Sequence, residues 1–171
     1  MRGKIVFRRD RARRSSAAMS KDPYTLLIAL KTTSGGGGSA TGSLYMDGAV
    51  YTFIYTIVVL SVCVCVCVCV RSHYEWEEDG HSFEYQTAQA FAVAVTSMEG
   101  KVIRNKVTGK FSNYNTVVER IIVAGYAAKP GSVAVQEFNL QLEFTYDAAA
   151  SVLVIKKPMV PVAGAWSIVI N

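Results

Sequence analysis

The sequence predicts an all-β chain, an antiparallel β-sandwich that carries a hydrophobic low-complexity insertion. Three observations lead there. Short apolar runs recur along most of the 171 residues, turn-forming residues separate them, and no amphipathic helix of real length intervenes. With 51% hydrophobic and 18% charged residues, the chain is not a disordered charged tail. It is long enough to bury a core without staples, yet shorter than the roughly 250 residues of a self-contained (β/α)₈ barrel enzyme.

Taken in order, Lys4–Arg8 and Tyr24–Leu30 are short apolar runs, the second opened by Asp22-Pro23. A Gly-rich connection over Thr32–Gly42 leads to Ser43–Met46. Strands are then expected at Phe91–Val95, Lys101–Val107, Val117–Gly125 and Ser132–Gln136. Leu140–Thr145 alternates apolar and polar, as a single half-buried strand does. Ser151–Ile155 and Trp166–Ile170 close the chain. Glu99-Gly100, Thr108-Gly109, Lys129-Pro130-Gly131 and Tyr146-Asp147 supply the turns. Nine or ten short strands of this kind pack as a sandwich.

The charge is unevenly placed. Residues 1–21 hold eight basic side chains against Asp10 alone, and the other 150 residues hold ten basic against twelve acidic. The net charge of +5 is therefore +7 on a basic leader and −2 on a mildly acidic body. That is not the basic stripe of a nucleic-acid binder, and a run of this type reads as a solvated edge or a localising arm. The leader lacks an apolar central region, so no signal peptide is read.

All four cysteines, Cys63, Cys65, Cys67 and Cys69, fall in the Val-Cys alternation of Val62–Val70. In a strand the i, i+2 spacing gives a row of thiols and not a tetrahedral cage, so no metal site is expected. The 23 residues Gly48–Val70 carry no charge, and residues 51–70 are long enough to span a membrane. Three readings compete: a transmembrane helix, a very hydrophobic strand, and non-coding sequence carried into the reading frame. A TG repeat translates as Cys-Val without end, which favours the last. Val, Ile, Thr and Tyr favour strand over helix, and only Arg71 flanks the segment on the basic side.

Catalytic constellations are scarce. A retaining glycosidase needs two carboxylates about 5–5.5 Å apart; Glu77 and Asp79 form a nameable pair, but acidic residues beside a glycine read as a solvated turn. His73 and His81 read as exposed loop histidines, and no G-x-S-x-G elbow, phosphate loop or H-E-x-x-H occurs. No catalytic, cofactor-binding or metal residues are assigned from the sequence.

Particular strings carry more information. Arg13-Arg14-Ser15-Ser16 followed by Lys21–Leu30 resembles the C-terminal region of glycoside hydrolase family 31. The family's Gly-x-Leu-Tyr-x-Asp-Asp-Gly-x-Ser/Thr-Phe-x-Tyr motif occurs here in two halves, Gly42–Asp47 and Asp79–Tyr85. Val118–Gly125 is similar to an internal strand of that family, and Lys156–Val160 and Ala165–Ile168 to its last two. Gly3-Lys4-Ile5-Val6 resembles the strand that follows the barrel, so the barrel and its catalytic aspartates have no counterpart to carry over. Excising about residues 48–78 rejoins the split motif and removes the Val-Cys repeat, so a retained intron accounts for both; a family-specific loop is the competing reading.

The resemblance implies residues 1–30 as a remnant of the proximal C-terminal β-domain. It implies residues 31–171 as the distal β-sandwich, interrupted at 48–78. The parent enzyme would be an α-glucosidase of the endoplasmic reticulum lumen that hydrolyses O-glycosyl bonds and trims α-linked glucose from N-glycans. Its catalytic barrel would be this chain's partner, with a non-catalytic β-subunit as a second. The alternative is an independent carbohydrate-binding or protein-interaction sandwich, with Tyr74, Trp76 and Tyr85 as sugar-stacking candidates.

Overall fold

The computed structural model describes residues 3–14, 19, 22–31, 38–47, 91–109 and 116–171. These form eleven strands: β1 Gly3–Arg8, β2 Tyr24–Ala29, β3 Ser39–Asp47, β4 Phe91–Glu99, β5 Val102–Gly109, β6 Val117–Ala124, β7 Val133–Val135, β8 Leu140–Gln141, β9 Glu143–Asp147, β10 Val152–Pro161 and β11 Trp166–Ile170. Hydrogen bonding links them in the order β8-β7-β11-β5-β4-β3-β1-β2-β6-β10-β9. The two ends of that order, β8 and β9, are consecutive in the chain with only Leu142 between them. The sheet therefore curls until its edges meet, which gives the expected sandwich.

Most pairings are antiparallel, but β1 runs parallel to β3 and β2 parallel to β6. The β1–β3 seam is narrow, with only Gly3↔Ala40 and Lys4↔Thr41 in register. Gly42 makes the close approach possible, because a Cβ there would collide with the Ile5 carbonyl oxygen. Residues 1–30 thus supply two strands to the same hydrogen-bonded sheet as the rest of the chain.

Alternation places the core. Ile5, Ile28, Val123 and Leu153 stand directly opposite one another across β1, β2, β6 and β10, and Phe7, Leu26, Ile121 and Ile155 form the row beside them. In the other half, Val135, Ile168, Ile103, Met98 and Ala40 make a matching buried row across β7, β11, β5, β4 and β3. Each fully buried Leu or Ile in these rows contributes about 1.5–3 kcal/mol relative to exposure.

One interior row is polar. The Thr96 hydroxyl donates to Asn105 Oδ1 (2.7 Å), and Asn105 Nδ2 donates to the Val162 and Gly164 carbonyls (3.0 and 2.8 Å). Trp166 Nε1 adds a bond to the Pro161 carbonyl (2.9 Å). Together these bonds pin the chain where it passes from β10 to β11, and they satisfy groups that would otherwise be costly to bury.

Three local expectations need correction. Leu140–Thr145 is not one strand: the Leu142 amide bonds the Val133 carbonyl (2.8 Å), its side chain is buried, and the chain changes partners there, leaving β7 for β10. The Gly-rich connection ends sooner, since β3 already pairs with β4 from Ser39↔Glu99. β10 continues past Ile155 to Pro161, beyond an irregularity between Lys156 and Val160. At Glu99-Gly100 the turn is as expected: Glu99 pairs with Val102, and Gly100 takes the positive φ (59°) that a two-residue hairpin loop requires. Residues 48–78, with the Val-Cys repeat and the 51–70 stretch, lie outside the described residues. Among the described residues no helix is long and apolar enough to cross a membrane.

Candidate functional site

The chemistry-bearing side chains gather where β6 loses register with both neighbours at one residue. Against β2, Tyr24 pairs with Val118 and Thr25 with Arg120; against β10, Lys156 pairs with Arg120 and Val160 with Val118. Glu119 is skipped on both sides. A bulge of this kind re-aims a side chain and bends the strand. Here it turns Glu119 toward a cleft of about 230 Å³ lined by Asp10, Arg11, Pro23, Thr25, Glu119 and Arg120.

The basic leader forms the opposite wall. Arg8 pairs with Asp10 (2.6 Å), Arg11 with Glu119 (3.5 Å), and Arg13 makes a forked contact with both oxygens of Asp22 (2.9 Å each). Arg9 lies over the Tyr24 ring, 4.6 Å from its centroid. The Thr25 hydroxyl donates to Asp10 Oδ2 (2.6 Å). The leader is thus a solvated edge and not a free arm through Arg13: Arg8, Arg11 and Arg13 stay about half exposed, yet each is paired. Its arginines strap residues 8–13 across the ends of β2 and β6, because the acidic partners Asp22 and Glu119 wait there.

The electrostatics decide what this cleft can do. The Thr25 hydrogen bond, aided by Arg8, holds the Asp10 carboxyl below the usual carboxylate range despite the opposing effect of burial. The Arg13 fork does the same for Asp22, with Arg11 and Arg9 adding to it. A general acid at neutral pH requires the opposite shift, upward toward 6 or 7. Asp10 and Asp22 are therefore fixed anions that orient guanidinium groups, suited to binding and not to proton transfer.

The residues singled out in the sequence fall differently. Glu77, Asp79, His73, His81, the four cysteines, Tyr74, Trp76 and Tyr85 lie outside the described residues. Asp47 ends β3, opposite Phe91. Among the described residues no group of three or more His, Cys, Asp or Glu is placed to hold a metal ion. The sequence reading missed Glu119 as a site residue. A one-residue register break leaves no mark on composition, although Glu119 lies within the Val118–Gly125 string that resembles a family strand.

No protein-family model matches the chain. Among curated proteins it is 32% identical to neutral alpha-glucosidase AB of Homo sapiens, over 97% of this chain and 14% of that protein. It is 30% identical to a probable glucan 1,3-alpha-glucosidase of Oryza sativa subsp. japonica, over 97% of this chain and 16% of that one. Among solved structures it matches an ER glucosidase II heterodimer of the catalytic subunit and the binding domain of the regulatory subunit. That match has a TM-score of 0.66 and 25% identity, over 99% of this chain and 17% of that one. The chain spans about a seventh of the length of these relatives. In sequence and in fold it resembles the C-terminal β-domains of glycoside hydrolase family 31, and its relatives are α-glucosidases.

Proposed function

We propose that this chain is a non-catalytic C-terminal part of a family 31 α-glucosidase and that it supports the catalytic barrel. One observation carries the reading. On the solvent side of the sheet, Val6, Leu27, Ile122 and Val154 stand directly opposite one another across β1, β2, β6 and β10. The outer face of an antiparallel sandwich is ordinarily polar. Here four apolar side chains run unbroken across it, with Val6 52% exposed. A contiguous apolar face of this kind is the mark of a surface that another body covers.

In this reading the parent removes α-linked glucose from N-glycans in the endoplasmic reticulum lumen. A non-catalytic β-subunit is the second partner. The names of the relatives support this, and so does a neighbour in which a catalytic subunit is bound to a regulatory one. By the family resemblance residues 1–30 are assigned to the end of the proximal β-domain, although β1 and β2 pair with β3 and β6 in one sheet. Residues 31–171 are assigned to the distal sandwich, and 48–78 to an insert. The sequence supports the last assignment: the Val-Cys repeat lies within those residues, and the two halves of the family motif, Gly42–Asp47 and Asp79–Tyr85, stand on either side of them.

The test uses the purified chain with and without residues 48–78. Neither form is expected to turn over an aryl α-glucoside, and the shortened form is expected to have the higher soluble yield and thermal midpoint. Turnover that disappears in Asp10→Asn or Glu119→Gln would overturn the non-catalytic reading. A lower yield and midpoint for the shortened form would show 48–78 to be an integrated part of the fold.

A second reading rests on Tyr45 and Phe91. Their rings stack at 6.0 Å between centroids and 18° between planes, with Tyr45 51% exposed, a platform on which a sugar ring could lie. Retardation by an immobilised glucan that vanishes in Tyr45→Ala would favour this independent carbohydrate-binding module.

A further inference from the structure

Two costly features meet at the far end of β10. The first is electrostatic. Two residues along from the apolar row, the same outer face carries Arg8, Thr25, Arg120 and Lys156 in direct register. Arg120 and Lys156 are therefore like charges directly opposite each other, an arrangement that destabilises a sheet. Arg8 is paired with Asp10, but among the described residues neither Arg120 nor Lys156 forms an ion pair. Lys157, next along, is exposed as well.

The second cost is conformational. Three residues of β10, Lys157 to Met159, bulge opposite Glu119. Lys157 and Met159 both hold positive φ (45° and 50°), on either side of a buried Pro158. Neither is glycine, and a long side chain in this region is uncommon. Such strain persists where surrounding structure enforces it, and it clusters at functional positions. The bulge holds Met159 57% exposed, three residues along β10 from Lys156.

We infer that Arg120, Lys156 and Lys157 with Met159 form a docking surface for an acidic polypeptide segment that carries one apolar side chain. Carboxylates of such a segment relieve the repulsion between Arg120 and Lys156, and Met159, unbranched and polarizable, adapts to an apolar side chain. A nucleic acid fits less well. The surface is short, and a continuous phosphate backbone could not skirt the carboxylates of Asp10 and Glu119 that line the adjoining cleft as a short peptide can. No aromatic side chain in the row offers a base a stacking face. The cationic row adjoins the apolar one on the same face, but the peptide titration uses this chain without a barrel, so either reading can fail alone.

The test follows fluorescence anisotropy of a labelled short peptide of Asp and Glu with one central Leu, titrated with the full chain. Binding is expected, and it should weaken as salt is raised from about 50 to about 200 mM. The double reversal Arg120→Glu with Lys156→Glu should cost at least about ten-fold in affinity, and Met159→Ser about three-fold. Lys106→Glu, on the exposed side of β5, should change affinity by less than about two-fold. If the double reversal does not fold, Lys156→Gln reads the same surface, with a loss of about three-fold expected. No binding, an unchanged affinity in Lys156→Gln, an equal loss in Lys106→Glu, or tighter binding of a short DNA duplex would each overturn the proposal.

Discussion

Two polar clusters in this molecule solve opposite problems. The Thr96–Asn105 network is neutral and buried, and its amide reaches two backbone carbonyls near the β10–β11 passage. The Asp10–Glu119 cleft is charged, and Arg11 and Glu119 remain 53% and 38% exposed in their side chains. A buried neutral network fixes geometry because stranding any member is expensive. An exposed ionic cluster contributes little to stability, because water competes with every pair. The first region therefore specifies the fold, and the second leaves its charges available to a partner.

The largest effect should come from breaking the first region. Asn105→Leu removes the partners of the Thr96 hydroxyl and of the Val162 and Gly164 carbonyls. At about 1–3 kcal/mol per stranded group the loss should be about 3 kcal/mol or more. For a chain of this size that is a fall of about 10 °C in thermal midpoint, measurable by calorimetry. A fall of only a degree or two would show that the network is not what holds the β10–β11 passage.

A smaller effect separates the clusters by pH. Asp10 and Asp22 have folded pKa values below their unfolded ones, so their stabilisation is complete above about pH 4. It is lost as pH falls through the depressed folded values. The thermal midpoint should therefore drop on the acid side of about pH 4, and the double variant Asp10→Asn with Asp22→Asn should flatten that limb. Equal acid limbs in both proteins would place the acid sensitivity elsewhere. The neutral Asn105 network should contribute nothing to it.

The smallest effect belongs to Glu119. Glu119→Gln removes its exposed pair with Arg11 and should change stability by less than about 1 kcal/mol in urea unfolding. A loss as large as that of Asn105→Leu would erase the distinction between the two regions.

What the sequence made legible follows the same division. The strands could be read because short apolar runs such as Tyr24–Leu30, Val117–Gly125 and Trp166–Ile170 are set off by turn-forming residues, as segments that bury a face are. The family resemblance lay in strings such as Val118–Gly125 and Lys156–Val160, and the comparisons bear it out. The break at Leu142, the parallel β1–β3 and β2–β6 pairings and the double register loss at Glu119 were not legible. Each depends on which distant strand lies alongside, and a neighbour contributes no residue to the local pattern. The ion pairs of the leader were hidden for the same reason: Arg11 and Arg13 are exposed, as a solvated run should be, and only the fold brings Glu119 and Asp22 beside them.

The supporting role of the chain is tested most directly by substitution into a relative. In human neutral alpha-glucosidase AB, the region matched by this chain is replaced by the chain without residues 48–78, and soluble α-glucosidase activity is measured. The chimera should be soluble and active. Ile122→Glu within it places a charge in the centre of the outer apolar row, and it should lower soluble activity at least about ten-fold by burying that charge against the barrel. An inactive chimera, or an Ile122→Glu chimera as active as its parent, would contradict the assignment of this face to the enzyme body.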